Sequence, residues 1–176
     1  MCIFKFNRSQ NKILKAANKN YIKVLFLRRL VIVFFLAYTK LLYCNSGSIE
    51  VPFITIWNTD NNGVSNSNQI LIPTIGNGYN YNVNWGDGTT SSGETGDALH
   101  TYDVPGIYTI EITGNFPRIY FNNSGDKAKI VSIEQWGDNV WSSMEGAFRG
   151  CENLQGNFTD SPNLSTVLST SYMFFD

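Results

Sequence analysis

Tyr79-Asn-Tyr-Asn-Val-Asn-Trp85-Gly-Asp-Gly-Thr89 alternates large and polar side chains over one short run and then breaks into glycine. Neighbouring residues of a strand point to opposite faces, so this period places Tyr79, Tyr81, Val83 and Trp85 together on one face. Such a strand is buried on one side, and its core face is aromatic. It stops at Trp85, because Gly86 and Gly88 tolerate positive φ and Asp87 can bond the backbone of its own turn.

The same texture extends in both directions. Phe53 to Trp57 reads as a first strand, and the polar stretch from Asn58 to Asn68 reads as a loop. Gln69 to Thr74 is a second strand, with Pro73 placing it at an edge or an end. Ala98 to Tyr102 is a further strand, and Val104-Pro-Gly106 is a turn. Ile107 to Thr113 alternates again, with Tyr108, Ile110 and Ile112 as its inward set. Short strands separated by Gly, Asn, Asp and Pro clusters are the pattern of an antiparallel β-sandwich, so the fold class expected is mainly β.

Three blocks in order, Val83-Asn-Trp-Gly-Asp-Gly-Thr89, His100-Thr-Tyr102 and Pro105-Gly-Ile-Tyr-Thr-Ile110, resemble the signature of PKD domains. The resemblance implies an immunoglobulin-like β-sandwich over residues 50–116, of the kind that serves extracellular proteins as a spacer or as a protein and carbohydrate contact module. Trp85, Gly86, Asp87, Gly88, His100, Tyr102, Pro105, Gly106 and Tyr108 carry that motif and are structural rather than catalytic.

Beyond it, Pro117 to Asn122 and Ala128 to Trp136 read as strands around a turn at Asn123-Ser-Gly-Asp126. The texture then changes. Trp141 to Phe148 aligns with Val167 to Phe174 at an offset of 26 residues, pairing Trp141 with Val167 and Phe148 with Phe174. A period in this range marks a solenoid repeat. Met144, Phe148, Gly150, Cys151, Leu154, Met173 and Phe174 resemble the repeat of bacterial surface leucine-rich-repeat proteins of the BspA type. Residues 117–176 are therefore expected to be the start of such an array, left incomplete at Asp176, since a solenoid covers its apolar face only by stacking about three or more repeats.

The amino-terminal part has the opposite electrostatics. Lys5, Arg8, Lys12, Lys15, Lys19, Lys23, Arg28, Arg29 and Lys40 all precede the first acid, Glu50, and an apolar run from Leu30 to Tyr38 leads through Leu41 to Cys44 into Asn45-Ser-Gly-Ser48. Basic, apolar, then small and polar is the order of a secretory signal peptide. Residues 1–48 are thus expected to be a signal peptide or, since Lys40 can snorkel, an uncleaved membrane anchor. Cys44 adds a lipid-anchor alternative. The protein is expected to be secreted or held at the cell surface, meeting membrane only through this segment or a lipid. From Glu50 onward only Arg118, Lys127, Lys129 and Arg149 oppose 14 acids, a net charge of −10, which repels phosphate backbones and argues against a nucleic-acid partner. Of Cys2, Cys44 and Cys151, only Cys151 lies well inside the folded region, where one thiol cannot form an internal disulfide.

Catalytic patterns are sparse. His100 is the only histidine, which excludes a multi-histidine metal site, and its motif makes it a packing residue. Cys151 reads as buried packing. Asp60, Asp87, Asp97 and Asp103 are oxygen donors suited to calcium, yet no segment has the spacing of a dedicated loop, so no cofactor is expected and calcium is the secondary alternative. Glu94 and Asp97 sit in a Gly- and Ser-rich loop, read as running from the turn at Gly86 to Ala98, as solvated carboxylates. Trp57 and Trp136 suit either the core or sugar stacking, with the core favoured. The expectation is a non-catalytic, exported surface protein that adheres to or binds an extracellular protein or carbohydrate. The alternative is an accessory region of a secreted hydrolase.

Overall fold

Eight β-strands and no helix build residues 50–175, the part of the chain that the computed structural model describes. The signal segment expected over residues 1–48, with Cys2 and Cys44, lies outside the described residues. The strands are β1 (Phe53–Asn58), β2 (Gln69–Ile72), β3 (Asn80–Asn84), β4 (Thr90–Glu94), β5 (Ala98–Thr101), β6 (Ile107–Asn115), β7 (Ile130–Gln135) and β8 (Gln155–Gly156). The fold is mainly β. A six-stranded mixed sheet runs β4-β3-β6-β1-β7-β8, and β2 pairs with β5 in a separate two-stranded sheet.

Period-2 burial explains the sheets. Phe53, Thr55 and Trp57 alternate inward along β1, and Tyr81 and Val83 along β3, with Tyr79 and Trp85 buried just outside that strand's ends. On β6, Ile110 and Ile112 are buried and Tyr108 half-buried, while Ile107 is exposed. Antiparallel pairing sets Phe53 opposite Ile112 and Val83 opposite the same Ile112, which fixes one apolar face across β1, β6 and β3. Ile70, Ile72 and Ala98 of the small sheet join the same core.

Two elements differ from the sequence reading. Thr90–Glu94, expected as loop, is the edge strand β4. Its Ser, Gly and Glu residues have weak strand preference, and it is held only by β3, with an irregular register and Gly93 at φ 71°. Conversely, Pro117 to Asn122 is not a strand. Pro117 has no N–H to give a ladder, and Asn122 and Asn123 take left-handed φ of 44° and 63°, which bends the chain away from any sheet.

Residues 117–175 are instead laid down in successive side-by-side courses. Strand β7 pairs antiparallel with β1 and parallel with β8, so one strand belongs both to the sheet and to the first course. The N–H groups of Phe121, Asn122 and Asn123 donate to the carbonyls of Ala147, Gly146 and Arg149. Those of Met144, Gly146, Phe148 and Gly150 donate to Ser169, Ser171, Met173 and Phe175. Side chains repeat the spacing: Asn153 Nδ2 donates to Ala128 O, Asn157 Nδ2 to Ser132 Oγ and Thr166 Oγ1 to Trp141 O, each across 25 residues. A parallel bridge joins Val140 and Asn163.

Candidate functional site

The turn at the end of β3 and the strand β5 meet in one polar and aromatic cluster. Gly86 has φ 79°, and a β-carbon there would run into the Thr109 carbonyl oxygen, so the turn lies against β6 as only glycine allows. Asp87 Oδ1 accepts from the backbone N–H of Thr89 at 2.9 Å and from Thr89 Oγ1 at 2.6 Å. Its Oδ2 accepts from His100 Nε2 at 2.7 Å. An ionised carboxylate can only accept, so the imidazole carries its proton on Nε2.

The His100 ring stacks on Trp85 with centroids 4.7 Å apart and meets the edge of Tyr102 at 4.5 Å. Tyr102 stacks on Tyr108 and donates its hydroxyl to the Trp85 carbonyl at 3.0 Å. Tyr108 donates to Val104 O, and the Gly106 N–H and carbonyl pair with Thr59 Oγ1 and Thr59 N, which ties the turn after Pro105 to the end of β1. All nine motif residues thus fall in one region, where they join the large sheet to the small one. Partial burial works against ionisation of Asp87, but the bonds from Thr89 and His100 outweigh it and hold the carboxyl at about 2, below its usual 3.8. Burial moves the Tyr102 hydroxyl in the opposite sense, well above the ordinary phenol range.

The repeat residues form a second group. Phe121, Phe148 and Phe174 follow one another across the courses, with Phe148 tilted against Phe121 at 6.3 Å and stacked on Phe174 at 5.5 Å and 9°. Met144, Phe148, Gly150 and Cys151 are buried, Leu154 and Met173 are half-buried, and Phe174 is 60 % exposed. Burial therefore decays along the array. Its last course leaves Leu168, Tyr172, Phe174 and Phe175 exposed, beside a groove of about 370 Å³ lined by Ile133, Phe148, Cys151, Leu154, Phe158 and Phe174. Arg149 lies over the Tyr172 and Phe175 rings at 5.2 and 5.7 Å. Trp57 and Trp136 are each 1 % exposed and offer no stacking face.

The acidic residues are dispersed. Asp97 accepts from the N–H and hydroxyl of Thr74, and Asp60 donates its own N–H to Asn58 Oδ1. Among the described residues, no group of three or more His, Cys, Asp or Glu side chains could hold a metal ion. Sequence reasoning missed a buried pair, Asp126 and Lys129, both 0 % exposed. Nothing in the pattern Asp126-Lys-Ala-Lys129 separates Lys129, which is enclosed, from Lys127, which is not.

No family model, curated protein or solved structure matches the chain.

Proposed function

We propose that residues 50–116 are a PKD-like, immunoglobulin-like β-sandwich, that residues 117–175 open a BspA-type leucine-rich-repeat solenoid, and that the chain is a non-catalytic, exported cell-surface protein. Its role is to bind an extracellular protein or carbohydrate, with the sandwich as spacer or docking module and the courses of the array as the contact surface. The observation that carries this reading is the ladder in which Met144, Gly146, Phe148 and Gly150 donate to Ser169, Ser171, Met173 and Phe175. Repeated courses with a common register build extended binding surfaces. The exposed Tyr172, Phe174 and Phe175 rings supply stacking groups, and the net charge of −10 from Glu50 onward favours neutral or basic ligands over nucleic acid.

The test is a glycan array together with a panel of purified extracellular proteins, probed with the wild-type chain and with Tyr172→Ala/Phe175→Ala. Saturable binding to a panel member, weakened about tenfold or more in the double variant, is expected. Export is read in parallel by protease accessibility on intact cells. A chain that stays inside the cell and binds no member of either panel refutes the reading.

A further inference from the structure

The Lys129 ammonium sits inside the loop between β1 and β2. Its three N–H groups face four oxygens, the carbonyls of Asn66 at 2.7 Å and Gln69 at 2.9 Å and, sharing one proton, Ser65 Oγ at 2.8 Å and Ser65 O at 3.2 Å. Asp126 closes the shell from behind. It accepts from the Ser65 N–H at 3.0 Å, the Ser65 hydroxyl at 2.5 Å and the Leu71 N–H at 2.8 Å. The loop is wrapped so closely that a β-carbon on Gly63 would strike Asp126 Oδ1 and come within 2.8 Å of Lys129 Cε.

Three backbone carbonyls and a hydroxyl converging on one charge, with a buried carboxylate beside them, form a cation shell rather than an ion pair. Among the described residues no carboxylate lies within salt-bridge distance of Lys129. We propose that residues 59–69 are an oxygen-lined cradle for a monovalent cation, occupied by the chain's own Lys129 ammonium, and that a chain lacking this side chain takes up ammonium or potassium in its place. The size of the shell selects the class of ion. Distances of 2.7 to 3.2 Å suit an ammonium-sized cation, whereas calcium draws its oxygens in to about 2.3 to 2.6 Å. Tethering explains why a free ion is not needed, because a linked group meets its site at a high effective concentration. Burial lowers the Lys129 pKa from its usual value, against the raising effects of Asp126 and Asp60. The loop that carries Asp60, one of the four carboxylates named as calcium donors in the secondary alternative, thus directs these oxygens at an ammonium.

Lys129→Ala in the full-length chain tests this by thermal unfolding in ammonium, potassium or N-methylglucamine chloride at equal ionic strength. The variant is expected to melt about 8 °C or more below wild type in N-methylglucamine and to recover at least half of that loss, saturably, in ammonium, while wild type is indifferent to the cation. Recovery in ammonium supports the cradle whether or not potassium shares it. A folded variant that melts at the same temperature in all three salts overturns it. If Lys129→Ala does not fold, amine acetylation of the wild-type chain decides. Lys129 is expected to label at under about one-tenth the rate of Lys127, and equal rates overturn the proposal.

Discussion

His100 Nε2 lies 2.7 Å from Asp87 Oδ2, and this one hydrogen bond crosses from the turn after β3 in the large sheet to β5 in the small one. The carboxyl is held at about 2 against its usual 3.8, so the folded state prefers the ionised form more strongly than the unfolded chain does. The stabilisation is complete above about 3.8 and is lost as pH falls toward 2. Asp87→Ala is expected to cost about 1 kcal/mol at pH 6, since the site is partly solvated, and the gap from wild type should close between pH 4 and pH 2. Urea unfolding of both proteins across that range checks it. A gap independent of pH would count against the ionised clasp.

Gly86 and Gly88 have similar backbone angles, φ 79° and 89°, but different surroundings. A β-carbon at Gly86 meets the Thr109 carbonyl, whereas at Gly88 it meets nothing within 4 Å. Gly88→Ala carries the left-handed penalty alone, about 1 kcal/mol, and Gly86→Ala should cost at least about 1 kcal/mol more. Equal losses in denaturant midpoint would show that β6 does not press on the turn.

The two stacked phenylalanines should separate burial from contact. Phe148, 2 % exposed, packs against Phe121, Trp136 and Phe174, so Phe148→Ala is expected to cost about 3–5 kcal/mol. Phe174, 60 % exposed, should cost under about 1 kcal/mol on the same change. Chemical unfolding of both variants gives the comparison, and similar losses would contradict the packing described.

Tyr79, Tyr81 and Tyr102 all have hydroxyls pushed up from 10.0 by burial. Each keeps its proton in the fold after losing it in the unfolded chain, so stability is constant below about 10 and falls above it. Lys129, lowered from 10.5, contributes the opposite slope only below that value. Between pH 10.5 and 12 stability should therefore fall, by up to about 1.4 kcal/mol per pH unit for each tyrosine. Tyr102→Phe should flatten that fall, which phenolate absorbance and unfolding measured together will show.

The aromatic face was legible because Tyr79, Tyr81, Val83 and Trp85 alternate with three asparagines, and alternation is the property that a strand converts directly into burial. The edge strand Thr90–Glu94 was not, since its pairing comes from β3 and its own residues carry little strand preference. The 26-residue offset identified Phe148 and Phe174 as partners, but Phe121 stayed hidden among Pro117 to Asn122, where polar neighbours read as strand and turn. The Lys129 shell uses backbone carbonyls, which every residue possesses, so no side-chain pattern announces it. Asp87 and His100 were grouped in the sequence only as members of one motif. Their role in joining two sheets depends on tertiary geometry.

Strand β7 has one edge on β1 and the other on β8, and this shared position makes the first course a continuation of the sheet. Neighbouring courses exchange hydrogen bonds in both directions, the Met144 N–H donating forward to Ser169 O and the Ser142 and Asn157 N–H groups donating back to Pro117 O and Ile133 O. Amide protection should accordingly follow burial, high around Phe121 and Phe148, which are 1 % and 2 % exposed, and lower around Phe174, which is 60 % exposed, so that hydrogen exchange reads the depth of each course from the shared strand.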